Sequence, residues 1–154
     1  MSLDPGQLRY LVRMELAALN APFATDNAVE MLMLTAAAET QCGRWLWQVT
    51  RGGSFTQHAY GLFQMEKLGY KDATTTLKRY KPAFIVPDRI RLVSDLRLAI
   101  WTARCFYLRF VEPFPHYKDV QHLAKYWKKY WNTPAGAGTV SGAEDAYYTF
   151  AAEQ

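Results

Sequence analysis

Cysteine and histidine are scarce: the chain has Cys42 and Cys105, and His58, His116 and His122. Two cysteines define no disulfide framework, and neither stands in a Cys-x-x-Cys or Cys/His spacing able to hold zinc. Both read as free thiols, and no metal site or cofactor is expected. Long apolar runs are missing too. The longest, such as Met31 to Ala38, fall well short of the roughly 20 residues that cross a bilayer, which argues against membrane insertion. The first residues, Met-Ser-Leu-Asp-Pro-Gly-Gln-Leu-Arg, show neither a basic stretch with an apolar core nor a small-residue cleavage site, so no secretory leader is expected. Glycine and proline are not enriched and no tract is of low complexity, which argues against disorder and fibrous architectures.

What is present is apolar and aromatic. In 154 residues, 50% are hydrophobic and 15% aromatic, enough for one core, and we read residues 1 to 154 as a single domain. The net charge of +4 and a pI near 9.1 suggest an anionic partner: nucleic acid, a membrane surface or bacterial cell wall. The basic residues form no long block, the densest clusters being Lys78-Arg79-Tyr80-Lys81 and Lys125 to Lys129.

Helical spacing dominates the chain. Asp4-Pro5 offers an N-cap and a proline at the first helical position, predicting a helix from Pro5 to about Leu19. Thr25 or Asp26 caps a second helix through the Ala36-Ala37-Ala38 run, with Glu39 near its C-terminal end. From Cys42 to Met65 the pattern turns irregular, with Gly43, Gly52 and Gly53 among aromatic residues, and this is the one stretch suited to β structure. Arg51-Gly52-Gly53-Ser54 is too short to cradle a phosphate. Lys71-Asp72 opens a short helix over Ala73 to Tyr80, Asp88 starts a long helix to about Phe110, and Asp119 caps a helix through Tyr130. Ser141 and Glu144 form a capping box for the last one. The expected class is mainly α, with about six helices and at most a small β hairpin.

Glu39 carries the chemistry. A carboxylate behind a run of alanines is costly unless its pKa rises or a partner compensates, and a raised pKa is what a general acid requires. Taken alone it reads first as a helix-surface residue, and no second carboxylate is nominated by the sequence. Its company changes this: Gly61-Leu62-Phe63-Gln64-Met65 supplies a glycine for close backbone approach and a glutamine able to donate and accept, and Tyr130-Trp131-Asn132 precedes a glycine-rich turn.

Glu39, then Ala59-Tyr60-Gly61-Leu62-Phe63-Gln64, then Tyr130-Trp131-Asn132-Thr133-Pro134-Ala135-Gly136 resemble the three ordered motifs of soluble lytic transglycosylases and goose-type lysozymes. In that family a helix-borne Glu is followed by a Gly-Leu-Met-Gln stretch and an Ala-Tyr-Asn-Ala-Gly segment. The variant details look most like the small versions encoded by tailed phages and prophages. The resemblance spans roughly Val29 to Val140. It implies a lysozyme-like fold and cleavage of the β-1,4 bond between N-acetylmuramic acid and N-acetylglucosamine, leaving a 1,6-anhydro ring. One carboxylate, Glu39, then serves as acid and base. Thr40, Tyr60, Gly61, Leu62, Phe63, Gln64, Tyr130, Trp131 and Asn132 are the implied substrate-binding residues.

The implied partner is bacterial peptidoglycan, with phage virion or tail proteins as further candidates. The implied place is a phage virion or the host cell, with action in the cell wall or periplasm. Three departures stand out: Thr40 follows the Glu where the family has serine, Phe63 replaces methionine, and Trp131 holds the place of the tyrosine that contacts the catalytic carboxylate, with Tyr130 one position earlier. Trp45, Trp47 and Phe55, in a loop unlike the family's, suit stacking on sugar rings and equally suit packing beneath a loop. Lys125 to Trp131, where lysines and aromatics interleave, suits single-stranded nucleic acid, but an amphipathic helix with its lysines in solvent is the simpler reading. A hydrolytic muramidase of the same fold and a non-catalytic virion component remain as alternatives.

Overall fold

The computed structural model describes residues 2–50 and 52–153; Arg51 of the glycine-rich loop lies outside them. It is mainly helical, with six α-helices and one small antiparallel sheet. Helix α1, Pro5–Leu19, starts as its sequence dictates. Asp4 accepts a hydrogen bond from the Gln7 amide at 2.8 Å, and Pro5 occupies the first turn, where its missing N–H costs nothing. Helix α2, Asp26–Thr40, is capped by Thr25, whose hydroxyl accepts from Ala28 N at 3.2 Å. Ten consecutive residues of α2, from Ala28 to Ala37, are buried. A helix apolar on all sides belongs in the middle of a domain, and α1 and three later helices pack around it.

The β region follows, with β1 at Trp47–Val49, β2 at Phe55–Tyr60 and β3 at Met65–Glu66 in the order β1-β2-β3. Trp47 pairs with Tyr60, and Ala59 and Tyr60 pair with Glu66 and Met65. Arg89 fastens this sheet from outside, donating to the carbonyls of Gln57, His58 and Met65 at 2.8–3.0 Å.

Helix α3, Lys67–Tyr80, begins four residues before the expected Lys71. Gly69 is carried inside the helix, although glycine there costs about 1 kcal/mol relative to alanine, because a side chain would press on the Phe106 ring at 3.3 Å. Tertiary packing overrides propensity. The long helix expected from Asp88 to about Phe110 is two elements: a 3-10 turn, Arg89–Val93, and helix α4, Leu96–Tyr107. Asp95 makes the break, since its carboxylate caps the Leu98 amide at 3.0 Å.

Helix α5, Val120–Trp127, is capped by Asp119 as expected, then passes into a π-helical turn, Lys128–Asn132. Helix α6, Val140–Phe150, is capped by Thr139, whose hydroxyl accepts from Gly142 N at 3.0 Å, so the expected Ser141 capping box does not form. Ser141 instead lies inside the first turn. Cys42 and Cys105 are buried free thiols, and burial raises them to about 11 and about 12. Among the described residues, no helix is long and apolar enough to cross a membrane, and no group of three His, Cys, Asp or Glu is placed to hold a metal ion.

Two buried carboxylates tie the outer helices to the centre. Glu30 of α2 accepts from Arg9 of α1 at 3.1 Å and from the Tyr147 hydroxyl of α6 at 2.7 Å, while Arg9 also reaches the Ala151 carbonyl at 2.8 Å. Glu15 of α1 pairs with Arg97 at 2.9 Å, and its carbonyl accepts from the Trp101 indole at 2.9 Å. Glu30→Ala would leave the Tyr147 hydroxyl without its acceptor and the half-buried Arg9 without its paired carboxylate, with the Ala151 carbonyl as its remaining close partner. Breaking a buried pair on one side costs about 3 to 5 kcal/mol. Chemical denaturation should therefore show a fall in midpoint with an unchanged slope, whereas a loss below about 1 kcal/mol would mean that the network contributes little.

Candidate functional site

Glu39 is the next-to-last residue of α2 and sits half-buried in an open groove of about 1030 Å³. One wall comes from the sheet region, including Trp45, Gln48, His58, Gln64 and Glu66. Another comes from the π-helical turn and the strap that follows it, including Tyr130, Trp131, Asn132 and Gly136 to Gly138. The groove continues along α3 and α4 past Asp72, Phe106 and Arg109.

The Glu39 Oε1 atom accepts a hydrogen bond from the Trp127 indole N–H at 3.0 Å. Burial raises the Glu39 pKa to about 7; the Trp127 bond opposes this by favouring the charged form, and the nearby Glu66 carboxylate adds to the rise. The C-terminal end of α2, where the helix dipole is negative, acts in the same direction as Glu66. At neutral pH this group both gives and takes a proton readily, the property that acid-base catalysis needs.

The turn after β2 brings Gln64 to the same groove as Glu39 by a defined route. Thr40 is fully buried. Its hydroxyl donates to Leu62 O at 2.7 Å, shares a contact with Ala36 O at 3.1 Å and accepts from Gly43 N at 2.9 Å. The end of α2 is thereby fixed to the 61–64 turn. Gly61 adopts φ +80, and a side chain there would meet the Leu92 carbonyl at 2.5 Å. Gln64, at φ +47, returns its side-chain amide to Gly61 O at 2.9 Å.

The expected site residues therefore divide. Glu39, Gln64, Tyr130, Trp131 and Asn132 line one groove. Thr40, Tyr60, Gly61, Leu62 and Phe63 do not. Leu62 and Phe63 are core, 0% and 2% exposed, and Tyr60 packs edge-on against Trp47 at 5.0 Å with Arg89 over its ring at 4.3 Å. These residues shape the groove from behind, a role that the sequence pattern could not separate from contact.

The tyrosine question also has an answer. Tyr130 turns its hydroxyl to Glu112 and its ring to Phe110, 4.3 Å away, so it does not bond Glu39. Trp131 packs among Phe106, Tyr107 and Phe63. The hydrogen bond to Glu39 comes from Trp127, one turn earlier. Asn132 accepts from Lys128 Nζ at 2.7 Å, and the same ammonium binds Gly136 O at 2.9 Å. Lys129 pairs with Glu112 at 2.8 Å. The strap lies directly on this turn: a side chain at Gly136 would strike Asn132 O at 2.4 Å, and one at Gly138 the Trp127 ring at 2.5 Å.

Sequence reasoning missed Trp127 as the acid's partner, and missed Glu66 and Asp72 as further carboxylates on the groove. Trp127 was visible only as an inward position of α5. Glu66 pairs with His58 at 3.0 Å, and Asp72 with Arg109 at 2.8 Å. Comparisons with protein-family models, with curated proteins and with solved structures found no match.

Two expectations follow. Because the folded-state pKa of Glu39 lies above its ordinary value, the native state holds a proton that the unfolded chain releases, and stability falls as pH rises between those values. The interval from 4.5 to about 7 corresponds to at most about 3 kcal/mol. Thermal melts should find Glu39→Gln more stable than wild type at pH 8, with the gain vanishing below about pH 5. A pH-independent difference would contradict the raised pKa. Gly61→Ala combines positive φ with a backbone collision and should lower stability by at least about 2 kcal/mol; a melting temperature within a degree of wild type would show that the turn can relax.

Proposed function

We propose that this protein is a peptidoglycan lytic transglycosylase, of the kind encoded by phages and prophages, that cleaves the β-1,4 bond between N-acetylmuramic acid and N-acetylglucosamine. The observation that carries the proposal is the half-buried Glu39 carboxyl, raised to about 7 and held by Trp127 in a groove shared with Gln64 and Asn132. The order of the three sequence motifs supports the same reading.

Glu39 begins protonated and gives its proton to the glycosidic oxygen as the bond from that oxygen to the muramic C1 breaks. The N-acetylglucosamine residue departs with a free hydroxyl. Positive charge at C1 is stabilised by the neighbouring N-acetyl carbonyl, as in substrate-assisted glycosidases. Glu39, now a carboxylate, takes the proton from the muramic 6-hydroxyl while O6 bonds to C1, closing the 1,6-anhydro ring. No water is consumed, and Glu39 ends protonated as it began. The carboxylate formed midway keeps its Trp127 bond, a donor that favours the charged form.

A hydrolytic muramidase is the second reading, favoured by Glu66 and Asp72. Both line the groove, and a second carboxylate that activates a water for attack at C1 is what an inverting hydrolase needs. Product mass separates the two. Purified protein should clear bacterial wall material and release muropeptides ending in anhydro-muramic acid, and reducing muramic acid alone would replace the transglycosylase with the muramidase. Glu39→Gln should lower the rate by about 10² to 10⁴, and activity should decline above about pH 7 as the acid loses its proton. No clearing by wild type would leave the non-catalytic virion component in its place.

A further inference from the structure

The five tryptophans have very different settings. Trp101 gives its indole N–H to Glu15 O, and Trp127 gives its own to Glu39. Trp47 packs on Phe55 and Tyr60, and Trp131 on Phe63, Phe106 and Tyr107. Trp45 alone has no hydrogen bond, ring partner or cation among the described residues, and it is 36% exposed on the wall of the Glu39 groove. A large ring left partly in water costs hydrophobic free energy that burial would recover, so its placement on a concave surface points to a ligand. The wall around it is polar: the Gln48 carboxamide and the His58 imidazole, with the Glu66 carboxylate 3.0 Å from that ring, line the same side.

We propose that Trp45 is the platform of a saccharide subsite on the wall that the sheet region contributes to the groove. A pyranose ring offers one apolar face of C–H groups, which stacks on an indole, and an equatorial rim of hydroxyl and acetamido groups, which hydrogen-bonds with amide and imidazole side chains. The indole N–H is one more donor for that rim. Size agrees. The groove volume of about 1030 Å³ stands at the upper end of the range for small-molecule sites, and Trp45, Glu39 and Arg109 all line it. Such a groove takes an oligosaccharide strand instead of a single disaccharide. Trp47, by contrast, is spent on Tyr60 and Phe55 and does not line the groove, so the loop separates one binding tryptophan from one packing tryptophan.

The inference rests on the reading of the groove as a glycan site but not on catalysis by Glu39, and binding to Glu39→Gln protein tests it apart from activity. The probe is the β-1,4-linked tetramer of N-acetylglucosamine, titrated by calorimetry and by nitrogen-proton correlation of the indole N–H groups. The tetramer should bind and shift the Trp45 indole signal. Adding Trp45→Ala should weaken Kd about tenfold with the melting temperature unchanged, and Trp45→Phe should restore most of the loss. An unshifted Trp45 signal at saturation, an unchanged Kd in the Trp45→Ala protein, or no binding at millimolar tetramer would each overturn the subsite. Trp45-dependent binding by a wild-type protein that clears no wall material would uphold the subsite while the catalytic reading fails.

Discussion

The hydrogen bond from the Trp127 indole to Glu39 is the interaction on which the groove depends. Helix α2 is buried along most of its length, and a carboxylate near its end is forced into the same low-dielectric surroundings. Burial drives that group toward neutrality, whereas one fixed donor draws it back, and the balance falls at about 7. Either influence alone would give a poorer acid-base group: full burial without a donor leaves the carboxyl permanently protonated, and full hydration leaves it permanently charged at neutral pH. Trp127 in turn is held by the core face of α5, where Leu123 and Ala124 are buried beside it, and by Gly138, which leaves no side chain between the strap and the ring.

The other side of the groove is fixed with equal economy. One threonine hydroxyl joins the end of α2 to the 61–64 turn, and the turn itself lies so close to the Leu92 backbone that only glycine fits at 61. Glu39 and Gln64 are thus positioned relative to one another through buried contacts that never face the groove. Catalytic groups on mobile loops lose alignment; groups at the ends of packed elements hold it. A threonine suits this duty, because the hydroxyl is what bonds and the methyl group is buried in the core.

Much of this was legible from local signals. The caps at Asp4, Thr25 and Asp119, the irregular β stretch and the position of Glu39 late in α2 all depend on residues adjacent in sequence. Errors arose where distant packing decides. Gly69 lies inside α3, ahead of the expected start at Lys71, and the Phe106 ring packed against it is 37 residues away. The break at Asp95 is a different case, a local cap on the Leu98 amide hidden in a run whose apolar positions keep helical spacing on both sides. Likewise, the motif residues around Gly61 announce a groove without saying which side chains face it: Gln64 does, while Leu62 and Phe63 fill the core. The partner of Glu39 lies 88 residues away, and no spacing rule connects them.

The tryptophan in place of the expected tyrosine is explained by the turn that carries it. A π-helical turn closes over one more residue than an α-turn, so the register of α5 does not carry through to Asn132, and Trp131 is delivered into the Phe106 and Tyr107 cluster instead of onto Glu39. The donor then comes from Trp127, with a chemical consequence. A tyrosine hydroxyl can donate or accept, so it is able to hold a protonated carboxyl by taking its proton in a hydrogen bond. An indole N–H only donates. It therefore reserves Oε1 as an acceptor in both protonation states and leaves the acid proton to Oε2, which has no protein partner among the described residues. The indole thus fixes which oxygen of Glu39 is left free to carry the exchangeable proton.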